Sequence, residues 1–394
     1  MPKRQADRLT IPLTRWADRQ LRLLAKTTKS DEIAALQGAT LLGERAASNR
    51  FFIPGLCSAG GKCQLFSSRN GWLALNLARD SDWDLLPALL ETPLSAAPDI
   101  GEIAKLVLEG DAADLTARGR DMGMAIAHCH ENTVTPPIQE LCPTRPVTPP
   151  SWRPLAIDLS SLWAGPLASH LLQLAGAEVI KVETLSRPDG LRQGDPALFN
   201  LLHQNKANVA INLASANGRA ALHTILSRAD IVIEAARPRA LEQLGLMAVD
   251  FITAKPGSVW ISITGHGAYG QAANWIGFGD DCGVAGGLSS ALFEATGAYG
   301  FVGDAIADPL TGIFAALAAW QAWSSGKGGR YGLAMSAIVK QALAEDRAAD
   351  PALLQHELIA WAQSIGRPFP STTQRIAAVN AQALGADNAH WLTC

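Results

Sequence analysis

The sequence predicts an α/β fold, in which a large domain with a Rossmann-like parallel sheet follows a smaller α+β domain. From residue 155 to residue 340, short apolar runs rich in β-branched residues alternate with helical stretches, which is typical of a parallel sheet covered by helices. Residues 1–135 show a hairpin and several helices without that alternation. A proline-rich stretch, 136–154, separates the two regions.

The small domain, residues 1–135, is predicted from its turn and helix signals. Asn70-Gly71 stands between QLFSSR and WLALNL, and this pair favours the positive φ angles of a tight hairpin turn. The next run, DSDWDLLPALL, has helical spacing, and IGEIAKLVLEGDAADLTARGRDMGMAIA indicates two helices and a short strand. We therefore expect a small α+β unit here.

The segment 136–154, PPIQELCPTRPVTPPSWRP, contains seven prolines. Proline has no backbone N–H and fixes its own φ angle, so this density excludes a helix and a central strand. We expect an extended linker between two units.

The large domain, 155–340, begins with the strand PLAIDLS, the helix GPLASHLLQLAGA and the strand EVIKVET. Three further strands are predicted by ANVAINL, ADIVIEA and GSVWISITG, with helical stretches such as NGRAALHTILSRA between them. Ligands of such sheets bind at the carboxyl ends of the strands. Residues 341–394 predict a helical C-terminal extension.

The composition limits the class of protein. Hydrophobic residues make up 48% of the chain and the formal net charge is -3, which is typical of a globular protein. No basic block suggests nucleic acid as a partner. No apolar run is long enough to span a bilayer, and the N-terminus lacks an apolar signal region, so we expect a cytoplasmic protein without membrane contact. The six cysteines form no CxxC pair, so we expect no metal site.

Several common motifs are missing from the sequence. No GxGxxG follows the first strand of the large domain, and neither a Walker A sequence nor a GxSxG elbow is present. This disfavours NAD-dependent enzymes, P-loop enzymes and serine hydrolases.

The stretch GDAIADPLTGIFAALAAW, residues 303–320, is the candidate for chemistry. Asp308 followed by Pro309 is a common helix start, with aspartate as the N-cap and proline at the first helical position. The alternative interpretation is a carboxylate that acts as a nucleophile. Asp304 is the nearby competitor for that role. The local sequence leaves both interpretations open.

Several motifs in order resemble the large domain of the family III CoA-transferases. They begin with IDLSSLWAGPLASHLLQLAGAEVIKVE and continue through FNLLHQNKANVAINL, ADIVIEAARPRALEQLGL, GSVWISITGHGAYG and GDAIADPLTGIFAALAAW to GKGGRYGLAMSAIV. The resemblance covers residues 151–340. The N-terminal GWLALNLARDSDWDLLPALLE resembles the small domain of the same family. Since that domain usually follows the large one, the resemblance implies a permuted domain order.

The resemblance implies that Asp308 is the nucleophile. In the family, this aspartate attacks an acyl-CoA thioester to form a mixed anhydride, and CoA then returns to give an aspartyl-CoA thioester. Covalent catalysis of this kind divides one difficult acyl exchange into easier steps. The implied substrates are an acyl-CoA and a small carboxylic acid, with CoA as part of a substrate rather than a permanently bound cofactor. The implied assembly is an interlocked homodimer.

Two alternatives to a transferase remain. An α-methylacyl-CoA racemase, or another CoA-thioester isomerase, resembles the same motifs but needs a histidine where this chain has Phe278. Phenylalanine cannot transfer a proton, which disfavours a two-base isomerase unless His266 replaces the histidine. The other alternative is a non-catalytic subunit that binds a CoA thioester, and such a subunit would have no need of Asp308.

The resemblance also implies CoA contacts. Ser161, Leu162 and Trp163 match the loop after the first strand that meets CoA in the family. Lys206 matches a family lysine that would meet a CoA phosphate, with a solvated surface lysine as the alternative. Arg237 follows a predicted strand end where ligands collect, and a surface arginine is again the alternative.

A glycine-rich stretch, SAGGKC, occupies residues 58–63. In family members a glycine loop from the small domain closes over the nucleophile, and its amides can stabilise an oxyanion. The resemblance implies this role for Gly60 and Gly61. A plain turn before the QLF strand is the alternative.

Overall fold

The computed structural model describes residues 9–132, 134–236, 238–370 and 373–392, with side chains except those of residues 238 and 239. The strands are β1 (Cys63–Ser68), β2 (Gly71–Asn76), β3 (Ala125–His128), β4 (Ile138–Cys142), β5 (Leu155–Asp158), β6 (Glu178–Thr184), β7 (Ala207–Ile211), β8 (Ile231–Glu234), β9 (Val259–Thr264) and β10 (Gly329–Ala334).

The helices of the N-terminal half are α1 (Thr14–Thr28), α2 (Asp31–Ala34), α3 (Gly38–Ser48), α4 (Asp80–Asp84), α5 (Leu86–Leu90), α6 (Ile100–Glu109), α7 (Ala112–Asp121), α8 (Ala164–Leu174), α9 (Leu191–Gly194) and α10 (Pro196–His203). Those that follow are α11 (Ala216–Arg228), α12 (Pro238–Gln243), α13 (Ala248–Ala254), α14 (Gly279–Ala285), α15 (Leu288–Thr296), α16 (Ala307–Ser324), α17 (Met335–Ala349), α18 (Pro351–Ala362) and α19 (Asn388–Trp391), with a 3-10 turn at Gly270–Asn274.

The larger sheet has seven strands in the order β4-β10-β9-β8-β5-β6-β7. All neighbouring pairs are parallel except β4 with β10, which confirms the predicted mixed α/β architecture with a large parallel sheet. β8 is buried along its whole length, as expected for a strand with helices on both faces. The strand order reverses at β5, which lies between β8 and β6. Loops that follow strands at such a switch point form a crevice for ligands.

The proline-rich segment contributes a strand to this sheet. Ile138–Cys142 forms β4, which pairs antiparallel with β10 at one edge. The expectation of an extended linker therefore misses a strand. An edge strand needs hydrogen bonds on one side alone, so prolines before and after it are tolerated.

The smaller sheet, β1-β2-β3, is antiparallel. Ser68 pairs with Gly71, which confirms the predicted hairpin at Asn70-Gly71. Apolar side chains of the sheet and of α6 and α7 form a separate core that includes Phe66, Leu75 and Ile103. This core belongs to the α+β unit that the sequence predicts.

The first helices do not join that small core. Trp16 of α1, Leu41 of α3 and Ile53 belong to the same buried cluster as Leu167 and Leu310 of the large unit. The apolar face of α1 packs on α16, whereas α6 and α7 already cover the small sheet. The structure therefore differs from the expected single unit over 1–135, because residues 11–53 contribute to the core of the large one.

The C-terminal segment runs along the open edge of β7. The Asn208 amide donates to Asp387 at 2.7 Å, and the Ala210 amide donates to the side chain of Asn388 at 2.9 Å. These bonds cover an edge strand that would otherwise be free to pair with another chain. The predicted C-terminal extension is thus helical in α17, α18 and α19, and the described residues between the last two form no further helix. Among the described residues, none of the helices combines the length and apolar character needed to cross a membrane.

Candidate active site

Asp308 lies in the first turn of α16. The helix begins at Ala307 and its N-cap is Ile306, without a side-chain cap bond. The prediction of Asp308 as N-cap is therefore wrong. Positive φ angles at Gly303 and Ala305 turn the chain into the helix one residue before the aspartate. Asp308 still lies at the helix N-terminus, where the helix dipole favours a negative charge.

The Asp308 carboxylate lies against the start of α14. A Cβ atom built on Gly279 would overlap Oδ2 of Asp308 and the backbone oxygen of Ala305. A residue larger than glycine would therefore displace the carboxylate or the turn before it. The absence of a side chain at Gly279 leaves room for the Asp308 carboxylate in its observed position.

Three carboxylates and one guanidinium form the centre of the candidate site. Arg45 of α3 binds Asp304 in bidentate fashion, through Nε to Oδ2 at 2.8 Å and Nη2 to Oδ1 at 2.6 Å. The Ala305 amide donates to Oδ1 of Asp280 at 3.0 Å. Arg45, Asp280 and Asp304 all act electrostatically on Asp308. The four charged groups thus form one coupled cluster.

This arrangement distinguishes Asp308 from its competitor. Both carboxylate oxygens of Asp304 accept from Arg45, and the side chain is fully buried. Asp308 remains partly exposed. Asp304 is therefore occupied as an ion-pair partner, which favours Asp308 over Asp304 as the nucleophile.

The environment raises the pKa of two carboxyl groups of the cluster. Burial raises the pKa of Asp308 to about 7, and the Arg45 charge opposes this shift. Burial and the neighbouring Asp304 charge raise the pKa of Asp280 to about 6. Groups with pKa values near neutrality are common where proton transfer or nucleophilic chemistry takes place.

The glycine-rich loop 58–63 lies over this cluster. A Cβ atom on Gly60 would be 3.2 Å from Nη2 of Arg45, and the Ser58 side chain lies close enough to Asp280 to oppose the rise in its pKa. Gly61 is exposed, with a φ of 73° and open space around its Cα. The structure therefore brings Gly60 to the cluster, whereas an oxyanion role for the Gly60 and Gly61 amides stays a prediction.

The loop after β5 lies at the switch point of the sheet. Ser161 and Leu162 are exposed, and the Leu162 amide donates to Asp189 at 3.2 Å. Trp163 is buried, and its ring lies 5.1 Å from the Arg45 guanidinium. Two of the three predicted CoA contacts are thus open to a ligand, while the third supports Arg45.

Lys206 is buried rather than solvated. Its ammonium bonds Oγ of Ser169 at 2.7 Å and the backbone oxygen of Pro166 at 3.0 Å, and it pairs with Asp158 at 3.3 Å. Burial lowers its pKa to about 8, although Asp158 opposes the shift. The surface alternative is therefore wrong. A contact with a CoA phosphate stays a prediction and would require the ammonium to leave these partners. Arg237, the other predicted cation, lies outside the described residues.

His266, Asp281 and Cys282 form a second polar cluster whose ligand atoms lie within 4.8 Å of one another. Nη2 of Arg120 approaches Nδ1 of His266 to 3.4 Å. Burial and the Arg120 charge lower the pKa of His266 to about 3. A fixed positive charge beside the imidazole opposes the binding of a metal cation.

Sequence reasoning missed Arg45 and Asp280. Arg45 is 259 residues from Asp304 in the chain, and no local pattern connects them. Asp280 lies two residues after Phe278, in GFGDDC. Its position at the start of a helix that faces the ADPLTG turn was the available signal.

The model of the family described as "CoA-transferase family III" matches residues 155–374, which is more than half of the chain. The chain belongs to CoA-transferase family III.

Two curated relatives illustrate the family. Succinyl-CoA--D-citramalate CoA-transferase of Chloroflexus aurantiacus is 32% identical over 170 residues, which cover 41% of this chain and 42% of that protein. (R)-2-hydroxy-4-methylpentanoate CoA-transferase of Clostridioides difficile is 36% identical over 151 residues, covering 35% of this chain and 37% of that protein. The match to this family III chain thus spans less than half the length of each relative.

Among solved structures, a CaiB/BaiF family protein from Brucella suis has a TM-score of 0.44 and 24% sequence identity. The similar region covers 52% of this family III chain and 59% of that chain.

Proposed function

We propose that this protein is a CoA-transferase that moves CoA from an acyl-CoA to a small carboxylic acid, with Asp308 as the nucleophile. The observation that carries the proposal is the half-buried Asp308 in the first turn of α16, beside an Asp304 that is already paired. Membership in the family supports the same assignment. The names of the two relatives agree with this class of reaction.

The reaction proceeds through acyl exchange at Asp308. Its carboxylate oxygen forms a bond to the thioester carbon, the C–S bond breaks, and CoA leaves as a thiolate with a mixed anhydride on the enzyme. The thiolate then attacks the Asp308 carbonyl carbon and releases the donor acid. The acceptor carboxylate attacks the carbonyl carbon of the resulting aspartyl-CoA thioester, whose C–S bond breaks to release CoA thiolate and leave a second mixed anhydride. The thiolate then attacks the acyl carbon of the acceptor and frees the Asp308 carboxylate. Each step exchanges one acyl bond for another, so no redox partner is required.

The crevice at the switch point is the proposed binding site for CoA. Ser161 and Leu162 are exposed there, and the loop leads directly to Trp163 and the Arg45 cluster. A ligand that contacts this loop therefore has a short path to Asp308. In this proposal CoA is part of a substrate, and Gly60 and Gly61 cover the reacting carbonyl from the opposite side.

The isomerase alternative receives no support from the site. Phe278 caps the start of α14 next to Gly279 and carries no group that transfers a proton. The ring of His266 is enclosed by Arg120 and Trp275, and its pKa is low. Neither Phe278 nor His266 therefore supplies the histidine that a racemase would use as its second proton-transfer group.

The proposal includes a permuted order of the two domains. The α+β unit precedes the family region in this chain, and we interpret this as a permutation of the usual family order. Its glycine loop still reaches the cluster, since Gly60 adjoins Arg45. We further propose an interlocked homodimer, as the family resemblance implies.

Isotope exchange tests the proposed activity. The full-length protein is incubated with succinyl-CoA and labelled succinate, and incorporation of label into the thioester is measured, followed by a panel of other small acids. We expect exchange by the wild-type protein and none by Asp308→Asn. Asp304→Asn is the matched comparison, because it changes the neighbouring carboxylate that pairs with Arg45, and we expect slower exchange there rather than its loss. Equal exchange by Asp308→Asn and wild type would refute the proposal.

A further inference from the structure

Arg45 is the cation whose charge acts on the proposed nucleophile, Asp308. It lies on α3, outside the residues 155–374 that match the family. It nevertheless acts on both Asp280 and Asp308. The N-terminal segment therefore adds a charged group to a site whose acidic residues belong to the large unit.

The guanidinium of Arg45 is held on three sides. Two parallel hydrogen bonds fix it to Asp304, and its carbon centre lies 5.1 Å from the Trp163 ring and 5.7 Å from the Phe51 ring. Bidentate pairing and aromatic packing restrict the orientation of an arginine. The position of the group is therefore set before a ligand arrives.

One edge of the guanidinium remains available. Nε and Nη2 donate to Asp304, whereas Nη1 has no hydrogen-bond partner within the part of the chain that the structure describes. The Arg45 side chain is 22% exposed, in contrast to 0% for Asp304. Because buried donors are normally satisfied, a fixed donor that stays accessible beside a carboxylate cluster is suited to an anionic ligand atom.

Charge compensation alone does not account for this arrangement. Asp304 accepts hydrogen bonds from two of the three guanidinium nitrogens of Arg45. A lysine would supply the same positive charge, but it would have no second planar edge of N–H donors. The cluster also contains three carboxyl groups near one cation. A substrate oxygen that becomes negative during the reaction would be repelled by these carboxylates unless a hydrogen-bond donor faces it.

We propose that Nη1 of Arg45 donates a hydrogen bond to the thioester carbonyl oxygen as Asp308 attacks, which makes Arg45 a catalytic residue. This inference rests on the proposed transferase function. As the bond from the Asp308 oxygen to the carbonyl carbon forms, the π electron pair moves to the carbonyl oxygen, and Arg45 stabilises that charge. When the pair returns, the C–S bond breaks and CoA leaves as a thiolate. Asp304 acts as a positioning residue, because it orients the guanidinium.

The test separates catalysis from charge compensation. The double variant Arg45→Gln/Asp304→Asn removes both members of the ion pair, so neither charge is left buried and unpaired. Full-length proteins are mixed with succinyl-CoA, and formation of the covalent adduct is followed by mass spectrometry in a single turnover. We expect the double variant to form the adduct about 10²- to 10³-fold more slowly than Asp304→Asn, which keeps the arginine.

Two further measurements test whether the variants react slowly because their structure is disturbed. Arg45→Lys keeps the charge and the pairing with Asp304 but loses the second edge, so we expect a folded protein that also reacts slowly. Added guanidinium ion should accelerate adduct formation by the double variant, whereas ammonium should not. Thermal unfolding of each variant shows that it is folded before its rate is compared.

The outcomes separate this inference from the function on which it rests. If wild-type protein forms no adduct with any acyl-CoA tested, the proposed function fails and the role of Arg45 fails with it. If wild-type protein reacts and the double variant or Arg45→Lys matches Asp304→Asn in rate, the transferase function stands and the role of Arg45 is refuted. Slow variants that guanidinium fails to accelerate would also contradict it.

Discussion

Individual residues determine whether the proposed nucleophile is ionised. Burial raises the pKa of Asp308 to about 7, while Arg45 and the Ala164 amide favour the charged form. Helix capping explains none of this, since the residue lies inside the first turn. The same position combines a helix N-terminus with a cluster of acidic neighbours, and these two influences act in opposite directions on the charge.

The rate of adduct formation should therefore depend on pH. A carboxylate attacks only when it is deprotonated, so a raised pKa makes the rate low in acid and lets it rise through the Asp308 pKa of about 7. Single-turnover rates with an acyl-CoA, measured from about pH 5 to about pH 9, check this. A far-UV circular dichroism series over the same range controls for unfolding. A rate that is constant across this range would contradict the assignment.

The rate of adduct formation should also depend on the space that Gly279 leaves for the Asp308 carboxylate. Gly279→Ala would force a methyl group into Oδ2 of Asp308 and the Ala305 backbone. Because a shift of about 1 Å at a reacting group costs roughly 10²-fold in rate, we expect adduct formation to fall by about that factor.

Gly283→Ala is the matched control for that substitution. It lies one turn later on α14, and its new methyl group would meet Ile306 at an ordinary 3.5 Å. This variant should form the adduct at the wild-type rate. If both variants lost rate to a similar extent, the cause would be a general disturbance of helix α14 rather than the contact with Asp308.

At the scale of the secondary-structure elements, buried ion pairs join strands of the large sheet to neighbouring loops. Lys206 precedes β7 and meets Asp158 at the end of β5, together with Ser169 of α8. Lys181 of β6 pairs with Asp189 at 3.1 Å. Removal of one partner from such a pair leaves a buried charge without compensation.

Lys206→Met should therefore lower stability. Asp158 keeps hydrogen bonds from Ser160 and Ser169, so we expect a loss of about 3 kcal/mol in the free energy of unfolding. Urea denaturation measures it. The double variant Asp158→Asn/Lys206→Met is the control and should recover part of the loss. A stable Lys206→Met protein with a higher KM for acyl-CoA would instead support the CoA-phosphate contact.

An element can be predicted from the sequence when the residues that determine it lie within the element itself. Strands β5 to β9 follow from apolar runs, because a strand with helices on both faces must be apolar throughout. The Asn70-Gly71 hairpin follows from turn chemistry. β4 was missed, since proline density argues against strands and only the position at a sheet edge permits one. The burial of Lys206 was missed because its partners come from β5 and α8.

At the scale of the whole molecule, the candidate site is built from distant parts of the chain. Asp308 was found through ordered family motifs rather than through any local pattern. Arg45 of α3, the loop 58–63 and the start of α14 meet it only after folding. A single sequence contains no signal for such contacts, as the 259 residues between Arg45 and Asp304 illustrate.

The fold also connects the N-terminal segment to the large unit. Residues 11–53 share the core of the large unit, and the α+β unit that follows them delivers the glycine loop to the cluster. The region outside the family match is therefore part of the proposed site, and we expect the full chain to be needed for activity.

Locating the covalent intermediate tests directly whether Asp308 is the nucleophile. The full-length protein is incubated with succinyl-CoA, quenched and digested, and the peptide that contains residues 303–320 is examined by mass spectrometry, with hydroxylamine or borohydride used to mark the activated carboxyl group. We predict modification at Asp308, absent from Asp308→Ala and retained in Asp304→Asn. Modification at another residue, or turnover of the thioester by Asp308→Ala, would contradict the account.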